Sequence, residues 1–396
     1  MRHIVLFEPD PSGHRMVFVR YVVEAMRHHG GLRATLATSP RGASSPLLID
    51  ISDNLDLHIG EVPSLGPLGR VLPSKLARQF THTRMLRSAV RTIGSQDPVD
   101  HVLIPFVDDY CLFPFAVGKR PFGLTPWSGI AIRPRFHLAR SGAEVPGRRA
   151  DKIEQVAYRH MLRDPALHRL FCIDPCFQPF MNDPRIVTVP DPADILDHDA
   201  DRTWLPVAED AVVLLAYGYI DHRKAIDRLL TIVADPRMPE SLVLALVGTQ
   251  DAGMTSVLQG PVAGELRRSG RLVEIARHVS EREEASAFLR ADIVWGYYPG
   301  SYCSSGAMVR AGQMGLPLLA GRQGLVGHLT GLYRSGLSAS EEDDDAVLQQ
   351  LARLATSSEL RRELGENGRR HFTNATGASF GRRIVQHLAE PPGVGR

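Results

Sequence analysis

The chain has 396 residues, 43% hydrophobic and 23% charged, with a formal net charge of +2. That length supports two or three packed domains at ~150 residues each, and the near-neutral balance gives no reason to invoke nucleic acid. Its four cysteines, Cys111, Cys172, Cys176 and Cys303, show neither a disulfide framework nor metal-ligand spacing, which predicts a reducing, cytoplasmic compartment and no metal. The apolar run after Met1 is closed by Glu8 and Pro9 too early for a signal peptide, and no stretch reaches the ~18 apolar residues of a spanning helix.

Apolar runs at 4–7, 32–37, 55–59, 101–106, 129–133, 170–173 and 186–189 predict strands, several separated by helical periodicity. Such alternation favours a parallel sheet covered by helices. Residues 9–14, Pro-Asp-Pro-Ser-Gly-His, close the first strand and open a helix over 14–29, so Gly13 and His14 lie at a strand end. His14 serves there as a cap, as a solvated side chain or, because imidazole titrates near neutral pH, as a base. Arg78, Arg84, Arg87 and Arg91 alternate with Leu76, Phe80, Leu86 and Val90. That pattern predicts a basic surface helix, with a membrane-surface helix as the alternative.

Asp108 and Asp109 end the fourth strand and Arg133 ends the fifth, where each is either solvated loop charge or part of a reacting centre. After a linker rich in Asp and Pro at 190–208, strands are predicted again at 212–216, 242–247, 272–275, 292–295 and 316–319. The restart implies two doubly wound domains. Residues 378–388 form a final helix.

Two loops of the second half carry the chemistry. Residues 214–230 read as an apolar strand, a polar turn with Arg223 and Lys224, and a helix. A lysine so placed lies beyond the carboxyl end of a strand, where open α/β sheets bind ligands. Only four of the 46 basic residues are lysines, Lys75, Lys119, Lys152 and Lys224, and a compact ammonium suits phosphate as a point charge. Residues 295–320 read as strand, Gly/Ser loop, helix, Gly315-Leu-Pro317 and strand. Ser304, Ser305 and Gly306 let backbone amides approach a ligand, and the following helix points its free donors at the same place. The alternative is a plain strand-to-helix turn.

Together these segments resemble the nucleotide-sugar domain of GT-B glycosyltransferases, in particular the retaining family-four group. The strand-end Gly218 is followed six residues later by Lys224, and Ala311 with Gly315-Leu-Pro317 matches the second half of the family's later motif. Residues 321–337 are similar to its glycine loop and following turn, residues 358–372 to its penultimate helix, and residues 183–194 to its passage out of the first domain. Tyr302 and Arg310 stand where the family has the two Glu of Glu-x7-Glu, and Arg310 cannot accept hydrogen bonds from a ribose.

The resemblance implies two Rossmann-like domains facing across a cleft. Residues 1–195 would bind the acceptor, residues 205–377 the nucleotide sugar, and residues 378–396 would cross back to the first domain. It implies Lys224, Arg133 and Asp109 as catalytic groups. The donor would contact Gly218, Arg223, Lys224, Ser304, Ser305 and Gly306, with Tyr302 and Arg310 beside them. His278 and Val279 would receive the base, and Gly13 and His14 would border the donor from the first domain. The implied reaction moves a sugar from a nucleoside diphosphate to a small soluble acceptor, with retention and without a metal or other cofactor. Two alternatives follow from the substituted motif and the basic helix: a GT-B protein that binds a ligand or partner without turnover, and a transferase with a lipid-linked acceptor. Membrane association is not expected under the leading reading, and the oligomeric state is left open.

Overall fold

At the centre of the first sheet lie apolar runs that lose all their exposed surface on folding: Ile4, Val5, Leu6 and Phe7 are fully buried, as are Val102, Leu103 and Ile104. Its strands are β1 (Arg2–Phe7), β2 (Leu32–Thr38), β3 (Leu55–Ile59), β4 (His101–Ile104), β5 (Trp127–Ala131), β6 (Leu167–Cys172) and β7 (Ile186–Thr188). They pair in parallel in the order β3-β2-β1-β4-β5-β6-β7. The second sheet comprises β8 (Val212–Tyr217), β9 (Leu242–Val247), β10 (Leu272–Ile275), β11 (Ile293–Gly296), β12 (Leu318–Gly321) and β13 (Gly336–Ala339). Its order is β10-β9-β8-β11-β12-β13, again all parallel. Such near-continuous apolar strands are what a sheet covered on both faces requires.

This computed structural model describes residues 1–12, 15–61, 63, 74–118, 123–197 and 199–390. It divides into two units, Met1–His137 with Gly147–Pro190 and Gly377–Arg396, and Leu138–Pro146 with Asp191–Thr376. The short segment Leu138–Pro146 thus belongs to the second unit, where the Glu144 carbonyl accepts from the Gly324 amide at 2.8 Å. Among the described residues no helix is long and apolar enough to cross a membrane.

In the first unit the helix Gly377–Ala389 lies along the helix Arg15–His29. Gly381 makes the approach possible: a Cβ there would sit 2.1 Å from the Tyr21 carbonyl oxygen. Phe380 fills the seam, its ring centroid 5.0 Å from that of Phe18. In the second unit Leu214, Ile226, Leu229, Leu244 and Trp295 share one core.

Several strand bounds differ from the sequence expectation, β6 starting three residues before 170 and β12 running two residues later than 316–319, and for β4 and β5 the reason is identifiable. β4 stops at Ile104, before Phe106, since Pro105 has no N–H to continue the ladder. β5 runs two residues earlier than 129–133 because the Asp108 carboxylate captures the next amides, Ile132 N at 3.3 Å and Arg133 N at 2.7 Å. β13 was not expected, its Gly-Leu-Ser-Ala sequence having little strand propensity.

Candidate functional site

In each sheet the order reverses at one pair of neighbours, β1 with β4 and β8 with β11. Ligands of open α/β sheets bind outside the carboxyl ends of strands at such a point. In the second unit the chain leaves β8 through Gly218, at φ +96°, and leaves β9 through Gly248, at φ +134°. A Cβ on Gly248 would lie 2.0 Å from the Gly218 carbonyl oxygen, so the two strand ends approach at backbone contact.

Asp221 then accepts from the Arg223 amide at 3.1 Å and caps a single tight turn, His222–Lys224. The turn places Lys224 back over the strand it follows. Its Nζ donates to the Tyr217 carbonyl at 2.7 Å and lies 4.9 Å from the ring centroid of Tyr298, and only 7% of the residue is exposed. The Lys224 carbonyl accepts from Trp295 Nε1 at 2.8 Å, which fixes the turn to β11. Arg223 is instead exposed and paired with Asp221 at 2.7 Å. Tyr219 donates from its OH to Asp251 at 2.6 Å.

From β11 the loop reaches Ser305, which precedes the helix Gly306–Met314 without capping it through its side chain. Its carbonyl accepts from Met308 N at 3.0 Å and Val309 N at 3.2 Å, and its Oγ donates to Tyr298 OH at 3.1 Å. Tyr298 therefore touches both motif loops, Lys224 on its ring and Ser305 on its hydroxyl. Gly306 is exposed, and a Cβ there would meet nothing within 4 Å. The first turn of this helix presents uncapped donors beside a lysine, an arrangement suited to an anion.

Ser304 Oγ donates to the carboxylate of Asp191, which burial pushes up to about 6 against the opposing pull of that hydrogen bond. Arg310 does not point toward the loop donors. Its Nε pairs with Glu284 of the helix Glu281–Arg290, and its Nη1 donates to the Asp194 carbonyl at 2.7 Å. Burial raises the Glu284 carboxyl, while Arg310 and the hydroxyl of Tyr217 pull it down. The Tyr302 carbonyl accepts from Leu325 N at 3.1 Å. His278 is exposed three residues past the edge strand β10, and Val279 is buried.

In the first unit Asp108 is buried, and desolvation raises it to about 6, with Asp109 adding to the rise and the amides of Arg133 and Ile132 opposing it. Asp109 accepts from Arg15 Nη2 at 2.6 Å. The Arg133 side chain is exposed. Gly13 and His14 lie outside the described residues. Among the described residues no three His, Cys, Asp or Glu side chains converge as a metal-ligand set.

Sequence reasoning did not single out Tyr298, Glu284 or Asp191. Tyr298 had a signal, as the aromatic residue two positions past a strand end; Glu284 and Asp191 had none, since their roles depend on which helices and loops become neighbours.

No family model matches the chain, and no curated protein matches it. Solved structures do. Sucrose-phosphate synthase of Thermosynechococcus elongatus superposes with a TM-score of 0.68 at 17% identity, covering 98% of both chains. HepE of Anabaena, solved in complex with UDP, gives 0.67 at 14% identity, covering 98% of this chain and 100% of HepE. WaaG, a glycosyltransferase involved in lipopolysaccharide biosynthesis, gives 0.59 at 16% identity over 99% and 100%. Likeness at this level of identity bears on architecture alone. The fold is α/β, two parallel Rossmann-like sheets of seven and six strands, as in GT-B glycosyltransferases.

Proposed function

We propose that the protein is a glycosyltransferase that takes a sugar from a nucleoside diphosphate donor and passes it, with retention and without a metal, to a small soluble acceptor. One observation carries the reading: Lys224 and the Ser305–Gly306 turn meet at Tyr298 on the β8–β11 switch point. The diphosphate lies there, held by the Lys224 ammonium and by amides at the start of the helix Gly306–Met314. Charge grows on the diphosphate as the glycosidic bond breaks, and preorganised donors in a partly dry site stabilise that charge most where it develops. The HepE complex with UDP, on a similar fold, supports a uridine diphosphate donor. In the first unit Asp109 and Arg133 face the acceptor.

A second reading, a donor-binding protein without turnover, draws support from Arg310. Its guanidinium is committed to Glu284 and the Asp194 carbonyl, so position 310 offers no oxygen to a ribose. Incubation with UDP-, GDP- and ADP-sugars separates the two. Release of nucleoside diphosphate, with the anomer of the product read by NMR, is expected of the enzyme. Tight donor binding without release under any acceptor would leave the second reading.

A further inference from the structure

The carboxyl end of β1 holds an acid that the donor site does not use. Glu8 follows β1 directly and is fully buried. Its Oε1 accepts from the Tyr110 hydroxyl and from the Asp10 amide at 3.0 Å. Its Oε2, buried as well, has no hydrogen-bond partner among the described residues. Tyr110, also fully buried, follows β4, so the pair spans the switch point of the first sheet. The Tyr110 hydroxyl in turn accepts from Arg15 Nη1, and Arg15 Nη2 donates to Asp109 at 2.6 Å. Arg15 lies over the rings of Phe106 and Tyr110, at 5.0 and 5.2 Å, which leaves its guanidinium little freedom.

We propose that Glu8 is a positioning residue for the Asp109 carboxylate, acting through Tyr110 and Arg15. The inference rests on the reading of the first unit as the acceptor side, where Asp109 supplies the oxygen that receives an acceptor hydroxyl. Buried polar atoms in native proteins are almost always satisfied, and Glu8 Oε2 is an exception placed where open α/β sheets bind ligands.

The groups facing Glu8 define what its proton controls. Asp10 lies on its own loop, Arg15 on the helix Arg15–His29, and Asp109 and Tyr110 on the turn after β4. The helix Ser74–Gln96 contributes His82, whose ring lies 4.9 Å from that of Tyr110, with Arg78 beside it. β2 contributes neutral Thr38, whose Oγ donates to the Glu8 carbonyl at 2.7 Å. Burial raises Glu8 to about 8, against its bonds to Tyr110 and the Asp10 amide and the charge of Arg15. Burial first, then Arg78 and Arg15, lowers His82 to about 4, so that ring stays neutral. With Glu8 protonated, Arg15 is shared between Asp109 and Asp10. When the proton leaves to solvent, Tyr110 donates to a carboxylate, Arg15 gains a third negative partner, and its hold on Asp109 relaxes.

The test follows the side-chain carboxyl carbon of Asp109 by NMR against pH in the full chain, the resonance being assigned by its loss in Asp109→Asn. In the wild type it moves with a step near pH about 8, the step of Glu8. Glu8→Gln abolishes that step, and Tyr110→Phe abolishes it at Asp109 while Glu8 still titrates. Where transfer is measured, the limb of kcat/KM at the same pH disappears in Glu8→Gln, whose neutral amide keeps the arrangement of the protonated acid, while Tyr110→Phe, which breaks the relay, loses roughly tenfold, short of the ~10²–10⁴ of a group that itself moves the proton. An Asp109 chemical-shift profile against pH identical in wild type and Glu8→Gln overturns the proposal. If Glu8→Gln does not fold, an Asp109 step that survives in Tyr110→Phe overturns it. UDP affinity, a property of the second unit, stays within about twofold in both variants, so failure of donor binding in the wild type is read separately, as failure of the proposed function.

Discussion

Burial sets the ionisation of Glu8, and stability follows. Its value is raised from an ordinary 4.5 to about 8, so between those limits the unfolded chain has already lost the proton that the folded chain keeps. The stability due to the neutral acid is complete below the unfolded value and is lost as pH rises through the folded one. Wild type should therefore lose ground to Glu8→Gln from pH 4.5 to about 8, by up to a few kcal/mol, in urea melts at stepped pH. Parallel curves for the two proteins would refute the assignment. Arg310 and Glu284 are coupled in a different way. Removing one partner of a buried pair strands the other charge at a cost of ~3–5 kcal/mol, so Arg310→Met is expected to be strongly destabilised. Arg310→Glu sets two carboxylates together and should be worse still, whereas the swap Arg310→Glu with Glu284→Arg recovers part of the loss. Equal stability of the single and double variants would show that the pair carries no energy.

At the scale of elements, the helix Gly377–Ala389 depends on contact with the helix Arg15–His29 at backbone distance. Gly381→Ala forces a methyl against the Tyr21 carbonyl, with an expected loss of ~1–3 kcal/mol and a lower thermal midpoint. An unchanged midpoint would mean that the helix is held elsewhere. The sequence made this helix legible, and the penultimate helix Ser358–Phe372 has the bounds expected of it. The apolar run Leu242–Val247 was equally plain, because a strand buried on both faces needs an uninterrupted apolar code. What was not legible depends on contacts distant in sequence. Asp108 ends β5 by taking its amides, and β13 forms from a weak sequence because β12 offers it a ready edge. The same holds for the candidate site: the family resemblance and a strand-end position singled out Gly218 and Lys224, and a run of small residues Ser305, while the partnership of Arg310 with Glu284 joins two helices whose adjacency no local pattern encodes.

For the whole molecule, two Rossmann-like units fix where ligands are to be sought, at β1–β4 and β8–β11, and leave the chemistry to the side chains there. A ligand that binds the folded state alone raises its stability by mass action, about 2.7 kcal/mol at a hundredfold excess over Kd. UDP is accordingly expected to raise the thermal midpoint, and uridine to raise it less. The most direct measurement is calorimetry of UDP and uridine against wild type and Lys224→Ala, with the fold of the variant verified by its circular dichroism. Charge-assisted hydrogen bonds to phosphate contribute roughly 1.5–3 kcal/mol, so Lys224→Ala should weaken UDP about 10- to 150-fold and leave uridine unchanged. Equal losses for the two ligands, or no UDP binding by the wild type, would contradict a diphosphate site at Lys224.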